Sequence, residues 1–239
     1  MMERLDKWLC DRTVHSRKEI KTLIREGKVR VNGEIVVDPG KHILQQDRVE
    51  CSGILLSESE HIYIMQNKPS GVVSVSRAPD ERTVIDLLPP HLLRKGLFPA
   101  GRLDKDTTGF VLITDDGDFA HRILSPKKHV VKTYTAVLRD EAQAAYADAF
   151  ENGILLSDGT QCLSAKLIFT DDPRKVRVFL REGRYHQVRR MFAALGNQVV
   201  LLHRDAIGGL ALDASLQPGE SRALTNEEVR IIINEQPLP

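Results

Sequence analysis

Cysteine is scarce in this chain: Cys10, Cys51 and Cys162 are the only three among 239 residues, odd in number and far apart, with no CxxC pair and no histidine at metal spacing nearby. A disulfide framework and a zinc site are thereby excluded, and free thiols are expected. No run of 18 apolar residues occurs, and the start, MMERLDKWLC, mixes acid and base without an apolar segment. Neither a membrane span nor a secretion signal is supported, so a soluble, cytoplasmic protein is expected. Charge of one sign is missing as well, since 34 Lys and Arg against 33 Asp and Glu leave a net +1. GxGxxG, the P-loop, internal repeats and low-complexity tracts are all absent, which argues against dinucleotide binding and solenoids.

The sum hides clusters. Between Arg12 and Arg30 stand seven basic residues (Arg12, Arg17, Lys18, Lys21, Arg25, Lys28, Arg30) against Glu19 and Glu26. A short helix with Leu5 and Trp8 or Leu9 inward leads to Ser16, where Ser-Arg-Lys-Glu fits a capping box closed by Glu19. Ile20, Leu23 and Ile24 then recur at helical spacing, Gly27 stops the helix, and VRVNGEIVV reads as two β runs around Asn32-Gly33. By itself the charge run is as consistent with a solvated helix face as with a phosphate-binding one. The pattern RLDKWL…SRKEIKTLIREGKVRVNG over residues 3 to about 52 resembles an S4 RNA-binding domain, which implies RNA contact through Arg17, Lys18, Lys21 and Arg25.

LSESEH, within a linker expected over 56–61, separates this 1–55 unit from a second, 62–239. There the β runs HIYIM, GVVSV, FVLIT, KTYTAVL, AKLIF, VRVFL and QVVLL are interrupted by helical patterns near Glu141 to Phe150 and from Tyr185 to Gly196. An α+β fold on a mostly antiparallel sheet is expected. A second basic cluster runs from Arg174 to Arg190, with seven Lys or Arg against Glu182.

GRLDKDTTG, Gly101 to Gly109, places the carboxylate of Asp104 between Arg102 and Lys105. A calcium loop would use Asp104, Asp106, Thr108 and Gly109, but its ninth and twelfth positions are Leu112 and Asp115, and a strand pattern follows in place of a helix. Asp and Thr before Gly also suit an ordinary turn, whereas the flanking cations favour an ionised carboxylate able to attack a substrate. An acid–base pair with Asp106 or with the acids of DDGD (Asp115 to Asp118) is the rival; the latter read as turn residues.

GRLDKDTTG resembles the catalytic motif of pseudouridine synthases. NKPSG (Asn67 to Gly71), KTY (Lys132 to Tyr134) and EGRYHQVRR (Glu182 to Arg190) resemble the family's further motifs, in its order. The resemblance implies a synthase fold with a central cleft, isomerisation of uridine to pseudouridine without a cofactor or metal, and three catalytic residues. Asp104 is the essential carboxylate, attacking the ribose or promoting departure of the base. Tyr134 is the platform for a flipped base, and Arg189 pairs with Asp104. Arg102, Lys132, Lys68, Arg184, His186 and Gln187 are the implied RNA contacts. TDDGDFAHRILSP, the long EGRYHQVRRMFAALGNQVVLLHR segment and IGG most resemble the S4-bearing branch that modifies 16S ribosomal RNA at uridine 516 of the small subunit, with a large-subunit (23S) target, or a non-catalytic S4-containing RNA-binding or ribosome-assembly protein, as the alternatives. A monomer acting on RNA within an assembly intermediate is expected. Val131 departs from the Glu or Pro expected before KTY.

Overall fold

The computed structural model describes residues 2–56, 61–125 and 130–234 of the chain. Most of the expected linker, residues 57–60, lies outside the described residues.

The first unit runs through β1 (Met2–Arg4), α1 (Leu5–Arg12), α2 (Arg17–Arg25), β2 (Val29–Val31), β3 (Glu34–Ile35), β4 (His42–Leu44), β5 (Val49–Cys51) and β6 (Ile54–Leu55). α2 begins at the expected capping box: Ser16 Oγ accepts from the Glu19 amide at 3.3 Å, and Glu19 Oε2 accepts from the Ser16 amide at 2.6 Å. Both satisfy amides that have no partner inside the helix, an effect of about 1 kcal/mol. Asn32 (φ 53°) and Gly33 (φ 85°) occupy the left-handed region that a two-residue hairpin between β2 and β3 demands. Leu5, Leu9, Ile20, Ile24, Val29 and Val49 close a core that shares no residue with those of the second unit. Burying Ile20 and Ile24 turns the opposite face of α2 to solvent, leaving Arg17, Lys18 and Arg25 exposed and Lys21 half-buried. Arg17 also reaches back 3.3 Å to the buried Asp6 carboxylate, so part of its charge is spent within the fold.

The second unit runs β7 (Tyr63–Lys68), a single 3-10 turn (Pro90–Leu92), β8 (Phe98–Pro99), β9 (Thr108–Thr114), α3 (Gly117–Leu124), β10 (Lys132–Leu138), α4 (Ala145–Asn152), β11 (Lys166–Phe169), β12 (Lys175–Leu180), α5 (Gln187–Ala194), β13 (Val199–Ile207), β14 (Leu210–Ala211), β15 (Ser221–Ala223) and α6 (Asn226–Ile233). One sheet runs β11-β12-β10-β13-β9-β7-β15, with β8 on β9 and β14 on β13. Its pairings are antiparallel apart from β13 with β9, as an α+β fold of mostly antiparallel strands requires. Alternate residues of β9 serve two cores: Val111 and Ile113 pack with the α4 and α5 side chains Tyr146, Phe150 and Phe192, while Phe110 and Leu112 pack with Phe119 of α3 and Ile232 of α6.

Three local expectations change. GVVSV forms no strand beyond an isolated bridge from Val73 to Thr83, because the Ser74 hydroxyl is bonded to the Leu103 backbone. DDGD is the start of α3 as well as a turn: Asp116 accepts from the Phe119 amide at 2.9 Å as its N-cap, and Asp115 holds Arg94 and the Ile62 amide. Asp115 and Asp116 are thus engaged in structure, and none of the DDGD acids lines the cavity described below, which argues against their acid–base pairing with Asp104. α6, unanticipated, is opened by a second capping box of Thr225 and Glu228.

Candidate active site

GRLDKDTTG spans the turn from β8 into β9, and its backbone is fastened before any side chain acts. The Thr107 amide donates to Asp104 O at 3.1 Å, the Gly71 amide to Lys105 O at 2.8 Å, and Ser74 Oγ exchanges hydrogen bonds with Leu103 at both N and O. Lys68 lies beneath. Fully buried, its ammonium donates to Pro69 O, Lys105 O and Thr107 O at 3.0, 3.1 and 2.8 Å. NKPSG is therefore a brace for the Asp104 loop, and the expectation that Lys68 touches RNA is corrected: its charge is enclosed by carbonyls.

Burial drives the Lys68 ammonium down from 10.5 to about 8, opposed by Asp106 and Asp104. Between those values the unfolded chain binds the proton that the folded one has released. The penalty for burying this cation is thus full below pH 8 and is relieved as pH rises towards 10.5. Lys68→Met takes one donor from each of three carbonyls, of which Lys105 O keeps the Gly71 amide, and a net loss of about 2 kcal/mol is expected after the desolvation of the charge is recovered. Denaturant unfolding at pH 7 measures it, and an unchanged midpoint would remove the bracing role.

Asp104 faces a cavity of about 540 Å³ whose wall includes Arg102, Lys132, Tyr134 and Arg204, with Arg184, His186 and Gln187 at its other side. Tyr134 is 8% exposed, on β10 between Val178 of β12 and Arg204 of β13. Lys132 donates to Ile123 O at 3.1 Å, and burial with Arg204 nearby brings it down to about 8. Arg102 and Arg184 are exposed at the cavity edge. Gln187 is corrected as an RNA contact, since its amide group is bound to buried Glu182 at 2.6 Å and to the Arg184 amide at 2.8 Å.

The partner expected for Asp104 is also corrected. Arg189 Nη2 lies 2.7 Å from Asp106 Oδ2 and Nη1 donates to Val199 O at 2.9 Å, while Asp104 Oδ1 is 3.4 Å from His186 Nε2. Arg189 projects from α5 towards the outer side of the loop, where Asp106 is the acid within reach. His186 holds a left-handed backbone (φ 49°, ψ 33°) at the start of α5 and stacks on Tyr185, ring centroids 3.9 Å apart and 14° from parallel. A non-glycine residue in that region costs of order 1–3 kcal/mol. The Arg174 to Arg190 surface is partly neutralised within the fold, by Glu182 on Arg184, Asp106 on Arg189 and Asp158 on Arg190. Arg204 was not anticipated; the one signal for it is a guanidinium inside the apolar run QVVLLHRDAIGG.

Residues 62–194 match the RNA pseudouridylate synthase family. The chain is a pseudouridine synthase. Residues 3–49 of this synthase match the S4 domain. Over 96% of its length it is 42% identical to ribosomal small subunit pseudouridine synthase A of Escherichia coli K12, covering 100% of that protein. Over the same share it is 44% identical to the Haemophilus influenzae protein of that name, covering 99%. It is also 42% identical to an uncharacterised RNA pseudouridine synthase of Bacillus subtilis, covering 98% of it. A crystal structure of a pseudouridylate synthase, 43% identical, superposes with a TM-score of 0.68 over 96% of the synthase and 99% of that chain. No helix among the described residues is long and apolar enough to cross a membrane.

Proposed function

We propose that this synthase isomerises one uridine of small-subunit 16S ribosomal RNA, the target being the uridine named by its sequence resemblance, in the cytoplasm, as a monomer, on RNA presented by an assembling subunit. The observation that carries the reading is that Arg102 and Asp104 of one motif and Tyr134 of another, distant in sequence, line one cavity. The small-subunit names of its relatives support the target.

The target nucleotide leaves its stack and enters the cavity, with its pyrimidine ring against Tyr134. Asp104, held by backbone bonds to its loop, acts at the ribose as the N1–C1′ bond breaks; the base turns and rejoins through C5. Arg189 acts as a positioning residue, holding the loop through Asp106. Arg102 and Arg184 at the cavity edge meet phosphate, and the exposed face of α2 holds a second stretch of the strand.

Incubating the protein with 16S and 23S ribosomal RNA, free or in assembling particles, tritiated at uridine C5, tests the target. Release from small-subunit RNA, mapped to one position, is expected; release from 23S RNA alone would assign the large-subunit target instead. Replacing Arg17, Lys18, Lys21 and Arg25 together by Gln should weaken RNA binding and lower the slope of log K against log salt by roughly 2–4. An unchanged slope would remove the α2 face from the RNA interface.

A further inference from the structure

β13 carries into the cavity a guanidinium that none of the four motifs contains. Arg204 is 4% exposed, and its neighbours across the sheet are Tyr134 of β10 on one side and Gly109 of β9 on the other. Residues directly opposite on paired strands send their side chains to the same face, so Arg204 stands beside the Tyr134 ring on the cavity side. Gly109, without a side chain, leaves its flank open. Arg204 Nε donates to Phe110 O at 2.7 Å, but Nη2 is buried with no hydrogen-bond partner among the described residues.

A buried donor on a charged group left unsatisfied costs about 1–3 kcal/mol or more, and a fold retains such a cost most readily where a ligand removes it. Lys132, the other buried cation of the wall, is bonded to Ile123 O. Of the carboxylates that line the cavity, Glu182 accepts from Gln187, Arg184 and Leu163, and Asp104 Oδ1 lies 3.4 Å from His186 Nε2. Among the described residues no acceptor is bonded to Arg204 Nη2.

The reaction supplies one. When the N1–C1′ bond breaks, its electron pair leaves with the base, giving a uracil anion whose charge spreads over N1 and the carbonyl oxygens. C5 then bonds to C1′, the C5 proton departs and N1 takes up a proton, so that nothing is gained or lost overall. This holds whether Asp104 attacks the ribose or promotes elimination.

We propose that Arg204 is a catalytic residue that binds the uracil ring at a carbonyl oxygen and stabilises it as the detached anion, an inference resting on the cavity being the uridine site. A preorganised donor in a site shielded from water favours charge that develops during the reaction over the neutral ground state, and removing one such donor costs typically 10²–10³ in rate.

Single-turnover kinetics of Arg204→Gln test it on two RNAs, one with uridine and one with 5-fluorouridine at the target, following loss of the parent nucleoside by its chromatographic retention after digestion. Fluorine at C5 stabilises the departing anion by itself. The expected result is a loss of about 10²–10³ on uridine, RNA affinity within about threefold, and a loss on 5-fluorouridine at least about tenfold smaller. Equal losses on both RNAs, or a loss confined to RNA affinity, would overturn the proposal and leave Arg204 a strut between β13 and β9. Should the Gln variant not fold, Arg204→Lys keeps the cation without the Phe110 tie: a rate within about tenfold of wild type supports the proposal, and a loss equal on both RNAs overturns it. Full activity of Asp104→Asn would instead overturn the reading of the cavity, whereas an inactive Asp104→Asn beside a fully active Arg204→Gln overturns the Arg204 role alone.

Discussion

Asp104→Asn should release no measurable tritium from C5 of uridine, a loss of at least about 10⁴-fold, while melting within about 1 °C of wild type. The two halves of this expectation have different origins. Chemistry at C1′ requires a carboxylate, and Asn offers neither a nucleophile nor a base. Stability, in contrast, is expected not to depend on that side chain: among the described residues its close partner is the His186 ring, with Nε2 at 3.4 Å, and a quarter of it faces solvent. The loop is held instead by bonds to the backbone of Asp104, Leu103, Lys105 and Thr107. Tritium release and a thermal melt on the same preparation check both halves. Release at the wild-type rate would take the nucleophile or base role away from Asp104, and a large drop in melting temperature would show the side chain to be structural.

Gly109→Ala should be the most damaging single methyl in the motif, costing about 4 kcal/mol or more, with soluble expression or the unfolding midpoint as the readout. Gly109 has φ +101°, and a Cβ there would stand 2.4 Å from Arg204 O and 2.7 Å from Arg204 N. Both atoms are backbone of β13, so neither can turn aside. This is the place where β9 meets β13, the parallel pairing of the sheet, and pushing the strands apart would split both cores and part Asp104 from Tyr134. Gly101→Ala is the control. Its φ is +94°, but the added Cβ meets the end of the Leu124 side chain at 2.9 Å, which can rotate away. A cost of about 1–2 kcal/mol is expected there. Equal costs at the two glycines would mean that backbone conformation, and not the close approach to β13, decides the position.

Much of the molecule could be read along the chain because its causes are local. The capping box at Ser16 and Glu19, the Asn32-Gly33 hairpin and the apolar stripe of Val188, Met191 and Phe192 on α5 each depend on residues within a few positions of one another. The α3 helix escaped notice because an Asp-rich turn and an Asp N-cap share the same letters. GVVSV looked like a strand because alternation records side-chain faces and says nothing of Ser74 being bonded to Leu103, 29 residues on.

The four motifs identified the family from the order of their residues, and with it the carboxylate and the aromatic ring that chemistry at a flipped uridine demands. Partners were another matter, since they lie at distances in space that the chain does not record. Which acid Arg189 holds was decided by where α5 leaves the sheet: Asp104 and Asp106 stand two residues apart on opposite sides of one turn, and the helix meets the outer one. Lys68 was a plausible RNA contact until the fold closed three carbonyls over its ammonium. Arg204 sits in an ordinary apolar run and gains its meaning from lying between Gly109 and Tyr134 across the sheet. Residue types and short-range spacing are written in the sequence and determined the reaction class; strand order and register, which exist only once the chain has closed on itself, decided which charges line the cavity and which hold the loop.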